Sequence, residues 1–476
     1  MQEEIGQPLE QRLEVERVGT VAFVPGILRE PHGRATSGVR DGVSVHTPGQ
    51  STQEEAASAG PLTAAPTPRR RWRIPRPAVG ALRHRDFRLF WWGQLGSLVG
   101  TWMQSTAQGW WVLERTNSAF YVGLTAALAN APSLLLSLVA GVVADRHDKR
   151  RILLTAQAVA LGGAVLLGLL IHLQRLPLVL FLAVVTLVGV ANAFEVPTRQ
   201  AFFVELVGRE DLPSAIALNS AAFNLSRIVG PALAGAVIAR WGVVPCFYAN
   251  ALSYLAVIAA LLRIRPRPRP RAPGAGGLWR DVGEGFRFLR RCPEAGALIA
   301  VVAALSLGAL PYLALLPVFA RDVLRVGARG LGALLAANGV GALLAGVLLA
   351  GWGRRLRRGP LLFVAAVGLG ASVLAFATVR WPPLAALLLA LAGFCTILHN
   401  ATANALLQTW APESLRSRVV SVYVFVFLGM APLGSLAAGE LAHRVGPRAA
   451  VAWGAATALG VTLAVWRRRP TLWRVR

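Results

Sequence analysis

Apolar runs of about twenty residues recur along this chain from Leu89 onward, and short polar turns separate them. Each run is near the length that crosses the hydrocarbon core of a bilayer as a helix. Twelve spans can be drawn: 89–113, 121–144, 152–173, 177–196, 215–239, 244–262, 297–318, 331–353, 361–379, 383–406, 419–442 and 449–466. The pattern predicts an all-α membrane protein, because helices satisfy every backbone group within one segment.

The polar stretches divide the chain. Residues 1–80 form a tail without helical or strand period, rich in Gly, Pro, Ser and Thr and ending in a basic segment. Its composition predicts disorder, and it lacks the apolar core of a signal peptide. A first bundle of six spans covers 82–262. Residues 263–296 then open with alternating Arg and Pro from Arg263 to Arg271, an extended spacer. They continue into an amphipathic helix over 277–291, with Trp279, Val282, Phe286 and Leu289 at helical spacing; such a helix suits a membrane surface. A second six-span bundle covers 297–467, and 468–476 is a short basic tail.

Composition changes the picture in one respect. The 476 residues are 55% hydrophobic and 15% charged, too apolar for a soluble protein of several domains, yet the net charge is +26. The arginines cluster on alternate loops: 69–88, 146–151, 263–291, 354–358, 416–418 and 467–476. Such asymmetry is the signature of membrane topology and places those loops and both termini in the cytoplasm of a cell-membrane protein. It speaks against nucleic acid as the partner and makes anionic lipid at the cytoplasmic face an expected one. Cys246, Cys292 and Cys395 lack metal-ligand spacing, and no metal or cofactor is expected.

The turn between the second and third spans carries the clearest chemistry. It runs Gly141-Val142-Val143-Ala144-Asp145-Arg146-His147-Asp148-Lys149-Arg150-Arg151. Its cations hold the turn on the cytoplasmic side, and the Asp145 carboxylate needs a cationic partner near hydrocarbon. This stretch resembles the signature loop of the major facilitator superfamily, with Asp148 where that pattern usually has Gly. The resemblance implies two parallel six-helix pseudo-repeats with the substrate site between them. The halves echo each other accordingly: Gly141 and Arg150 find counterparts 205 residues on in Gly346 and Arg355, while Ala350 stands where Asp145 would. It also implies a gate in which Gly141, Asp145, Arg146, Lys149, Arg150 and Arg151 meet Arg416 and Arg418 at the start of the eleventh span.

Two further stretches narrow the resemblance. One is 100–113 in the first span; the other runs from Pro197 through Glu205-Leu206-Val207 and Asn219 to Gly230-Pro231. Together they look like the third drug–proton antiporter branch, which includes macrolide-efflux and enterobactin-exporter-like proteins. Some relatives have an Asp where this chain has Thr101, so the proton carrier is unplaced. Polar groups inside spans are the candidate cavity residues: Gln104, Gln108, Trp111, Asn130, Asn192, Asn219, Asn224, Arg227, Asn338, Asn400 and Asn404. Gln104, Gln108 and Asn130 are expected at the interface between halves; for any single amide, an interhelical hydrogen bond is the competing role. Arg227 needs an anion, whether Glu, lipid or substrate, unless it snorkels to the surface. Glu195 and Glu440 are expected to pair with Arg or to carry protons. The expected function is export of an amphipathic small-molecule substrate by a monomer, driven by a proton gradient, since no phosphate-binding loop is present. A solute importer and a membrane scaffold or sensor are the alternatives. An intramembrane enzyme would need convergent catalytic groups that the spans do not offer.

Overall fold

The computed structural model describes residues 80–264, 278–353 and 355–474. The predicted disorder before residue 80 and the Arg–Pro spacer over 265–277 lie outside the described residues. Among those described there is no strand.

Helices α1 (Arg85–Thr116), α2 (Ala119–Arg146) and α3 (Lys149–His172) follow one another closely. A 64-residue helix, Leu178–Trp241, bends at Gly208, whose φ of 76° lies in the left-handed region open to glycine. The bend divides it into α4 (178–207) and α5 (209–241). Then come α6 (Val244–Arg263), α7 (Leu278–Arg291) and α8 (Pro293–Val323), the last interrupted by π-helical turns at Leu305–Ala309 and Phe319–Val323. The chain finishes with α9 (Gly327–Trp352), α10 (Arg358–Thr378), α11 (Pro382–Trp410), α12 (Arg416–Val445) and α13 (Pro447–Arg468).

Among the described residues, ten helices are long and apolar enough to cross a membrane, with the bent Leu178–Trp241 helix counted once. α1 is not among them; it carries Gln94, Ser97, Gln104 and Thr106 along its length. Those four side chains are buried against protein, where polar groups can be satisfied.

A correction concerns residues 197–207, which the hydropathy pattern assigns to a loop and the structure makes helical. Phe202 and Phe203 are buried there edge-on against Phe90 and Phe87, with centroids 5.7 and 5.8 Å apart. The polar residues that suggested a loop are paired: Arg199 with Glu195 at 3.5 Å, and Glu205 with Lys149 at 2.8 Å.

α1–α6 pack as one bundle and α8–α13 as the other. The bundles meet chiefly along two helix pairs, α2 with α12 and α5 with α9. α7 packs on the start of α12, where Gly285 lies against the Arg418 backbone and Glu284 pairs with Arg418. Of the apolar stripe predicted on α7, Leu289 is buried; the side chains of Trp279, Val282 and Phe286 lie outside the described atoms.

Candidate functional site between the two bundles

Small residues at regular spacing report how the bundles approach. On α2, Gly123, Leu134 and Gly141 fall on one face, because eleven and eighteen residues are near whole numbers of turns. A Cβ on Gly123 would meet the Ser435 carbonyl and lie 2.8 Å from the Gly439 Cα on α12. Leu134 packs on Gly429, whereas a Cβ on Gly141 would meet no described atom within 4 Å. On α9, Gly332, Gly339 and Gly346 share a face in the same way. Gly332 presses on Gly235 of α5, with a Cβ 2.9 Å from its Cα; Gly339 touches Ile228 and the Arg227 carbonyl; a Cβ on Gly346 would meet no described atom within 4 Å. Both helix pairs are therefore in backbone contact at one end and diverge toward the other, which carries the Arg146–Arg151 turn. These are the far end and the basic end.

The far end has a polar clamp as well. Arg321 of α8 donates to the Leu113 carbonyl at 3.1 Å and to Asn117 Oδ1 at 2.5 Å, both in the first bundle. Asn117 can offer its side chain there because it ends α1 in the left-handed conformation, φ 50°.

Arg227 lies beside Gly339, the middle glycine of the α9 stripe. Its guanidinium donates to Asn338 Oδ1 at 2.5 Å across the bundle interface. Asn338 is 1% exposed and donates in turn to the Tyr312 hydroxyl at 2.6 Å and the Leu389 carbonyl at 3.0 Å. This bridge links α5 to α8, α9 and α11 at the apex of the cleft.

The other candidates are placed as follows. Gln104 is buried and accepts from Asn250 Nδ2 at 2.8 Å, within the first bundle. The expectation that it faces the interface is corrected: a buried amide goes to the nearest complementary group, and Gly100, one turn back, admits α6 to that face. Trp111 is also internal, tilted on Phe181 with centroids 4.6 Å apart. Asn130 is exposed and donates to its own helix at Ala126, and Asn224 does the same to Ser220. Gln108, Asn192 and Asn219 are half-buried. Asn400 supplies a carbonyl to the Tyr423 hydroxyl at 3.1 Å, and Asn404 accepts from Gln408 at 3.2 Å. The structure thus brings Arg227 and Asn338 together and leaves the remaining amides apart. Reading the sequence missed Tyr312 and Asn250; a polar residue inside an apolar span is the signal that marks both.

The hairpin at the basic end is a brace. Asp148 caps α3, accepting from the backbone N–H of Arg150 at 2.8 Å and of Arg151 at 3.3 Å, which accounts for a carboxylate at that place. Arg150 donates to the Leu261 and Leu262 carbonyls at 2.7 and 2.8 Å, capping the C-terminus of α6. Arg146 is exposed on the last turn of α2, and Arg416 donates to the Gln408 carbonyl at 3.0 Å. The Asp145 carboxylate lies outside the described atoms. Cys292, just before α8, has its thiol pushed up from the ordinary value, chiefly by burial.

Two helical bundles, pressed together at one end and parted at the other around a polar bridge, define a membrane transporter of the major facilitator fold. Solved structures share that fold: nucleoside transporter NupG, with a TM-score of 0.63, 11% identity, 80% of this chain and 99% of that one covered, and a bacterial homologue of the iron transporter ferroportin, with a TM-score of 0.62, 17% identity and coverage of 80% and 98%. A family model described as transmembrane secretion effector matches residues 77–473, and the chain belongs to that family. Among curated relatives, the multidrug efflux pump Tap of Mycolicibacterium fortuitum is 28% identical over 73% of this chain and 87% of its own length. The enterobactin exporter EntS of Escherichia coli is 26% identical over 75% and 86%. The staphyloferrin A transporter of Staphylococcus aureus is 33% identical over 34% of this chain, a match that spans 41% of that transporter. The protein is a multi-pass membrane transporter of the efflux type and not an enzyme.

Proposed function

We propose that the protein exports drug- or siderophore-like amphipathic molecules by alternating access, drawing on the proton gradient, with the basic end and both termini in the cytoplasm. The observation that carries this reading is the cleft: it is shut at the far end, open at the basic end, and has a polar apex. A molecule entering from the cytoplasm would reach Arg227 and Asn338, with Asn219 and Asn224 nearer the mouth on α5. Gln108, Asn192, Asn400 and Asn404 remain candidates for the walls. Twelve crossings follow if α1 and both arms of the Leu178–Trp241 helix each span once. The exposed arginines of the basic end suit anionic lipid headgroups, and one chain holds both halves of the site, so a monomer suffices. The secretion-effector family and the exporters among its relatives favour export over import or a scaffold role.

Asp145 is the proposed cytoplasmic latch. When the basic end closes, its carboxylate meets the N-terminus of α12, where the helix dipole and Arg416 and Arg418 favour an anion. Export is tested by expression in a host lacking other pumps, with accumulation of amphipathic dyes of either charge followed before and after an uncoupler. Lower accumulation that the uncoupler restores is expected; accumulation unchanged by the protein overturns the reading.

A further inference from the structure

We infer that the apex of the cleft is an oxyanion site, with Arg227 as the ligand for a carboxylate or similar group on the transported molecule. This deepens the export reading and rests on it. The argument begins with counting donors. A guanidinium carries five N–H groups in a fixed fork. Among the described residues, one protein acceptor is found for them, the neutral Asn338 Oδ1. Asn338 carries no charge to offer, and its own amide protons go to the Tyr312 hydroxyl and the Leu389 carbonyl. Tyr312 accepts there and keeps its own O–H.

The missing partner is a charge. Arg199 has Glu195, Arg418 has Glu284, Arg444 has Glu440 and Arg321 has Asp322. Among the described residues, no carboxylate lies within ion-pair distance of Arg227. An ionised group this deep in a helical bundle is costly unless an anion meets it. The fork that remains fits a carboxylate edge-on through two parallel N–H bonds.

Position turns the unpaired charge into a binding site. Arg227 is half-buried, and its carbonyl lies against Gly339, the middle glycine of the α9 stripe, one step before Gly346, which meets no described atom. A ligand coming up the cleft meets the guanidinium there. The route begins among the arginines of the basic end, whose field concentrates anions and repels cations. A phospholipid headgroup offers the same oxyanion chemistry, so the test must separate the two sources.

Binding of dansyl-phenylalanine and of its amide to the purified full chain in nonionic detergent provides that test. The two probes differ only in carboxylate against carboxamide, and energy transfer from tryptophan reports both. Wild-type protein is expected to bind the carboxylate about tenfold or more tighter, the order that one charge-assisted pair contributes. Arg227→Gln should erase the preference while still binding the amide. Asn338→Asp, which supplies a fixed counter-ion, should erase it without removing the guanidinium, so the outcome does not depend on one variant folding. Equal binding of both probes, binding of neither, or a preference that survives both substitutions overturns the inference. If phosphatidylglycerol displaces the carboxylate probe and binds tighter in an Arg227-dependent way, the site belongs to lipid and the assignment to cargo falls. Because binding is measured without transport, a carboxylate preference without energised efflux sinks the export reading alone. Efflux without the preference sinks this inference alone.

Discussion

Gly123→Ala tests whether the far-end contact sets the balance between the two faces of the transporter. The added methyl would sit 2.8 Å from the Gly439 Cα and closer still to the Ser435 carbonyl. Ordinary carbon–carbon contact needs about 3.5–4.0 Å, so α2 and α12 must separate by roughly 1 Å. Neither neighbour can swing aside, because both are backbone. Overpacking of this kind costs about 1–3 kcal/mol, and the cost falls only on the state in which the far end is closed. The ratio of far-end-open to far-end-closed forms should therefore rise about 5- to 150-fold. A reporter Cys at Ala119, whose carbonyl packs on Gly439, in a chain freed of Cys246, Cys292 and Cys395, reads this through a membrane-impermeant maleimide applied from the far side. Faster labelling is expected with Gly123→Ala. An unchanged rate in a folded protein would refute the reasoning, since it would mean that the contact loosens without moving the equilibrium.

Arg321→Gln should raise labelling at the same reporter, because it removes the charged donors held by the Leu113 carbonyl and Asn117; a loss of roughly 1.5–3 kcal/mol is the scale for such bonds. Asp145→Asn should have the opposite sense, favouring the form open at the basic end and slowing transport, with cysteine accessibility at that end as the check. Asp148→Ala should cost the worth of a helix N-cap, about 1 kcal/mol, read as a lower melting point, whereas Asp148→Gly should cost only about a few tenths. The Cys292 thiol is pushed up by burial, so less thiolate is present near neutral pH than on a free thiol. Its alkylation should be slow there and quicken as pH rises, and an early plateau in the rate would contradict the shift.

The hairpin and the span pattern were legible in the sequence because both depend on local charge and hydropathy. Lys149, Arg150 and Arg151 can be assigned to one side without knowing their partners. The course of α4 beyond residue 196 was not legible, since Arg199 and Glu205 look like loop residues until their partners Glu195 and Lys149 are in place. The same limit applies to the cavity. Gln104 and Gln108 share a helix face, but whether that face meets cargo or a neighbouring helix is decided by tertiary packing. Gly100 on that face was the available sign of a helix seam. An arginine inside a span needs an anion, and the structure offers Arg227 a neutral amide instead. That the amide belongs to the opposite bundle follows from geometry that no sequence period encodes.

The two glycine-bearing stripes also have a mechanical consequence. Their middle contacts, Leu134 on Gly429 and Gly339 on the Arg227 backbone, are placed to act as a fulcrum while the ends trade places. Gly123 lies eleven residues from Leu134 and Gly141 seven residues from it, lever arms of about 16 and 10 Å of helix. A rocking of some 10° about that fulcrum would swing the tips by roughly 2–3 Å and leave the centre almost still. A molecule held at Arg227 would then hardly travel during its own export; the walls would change sides around it.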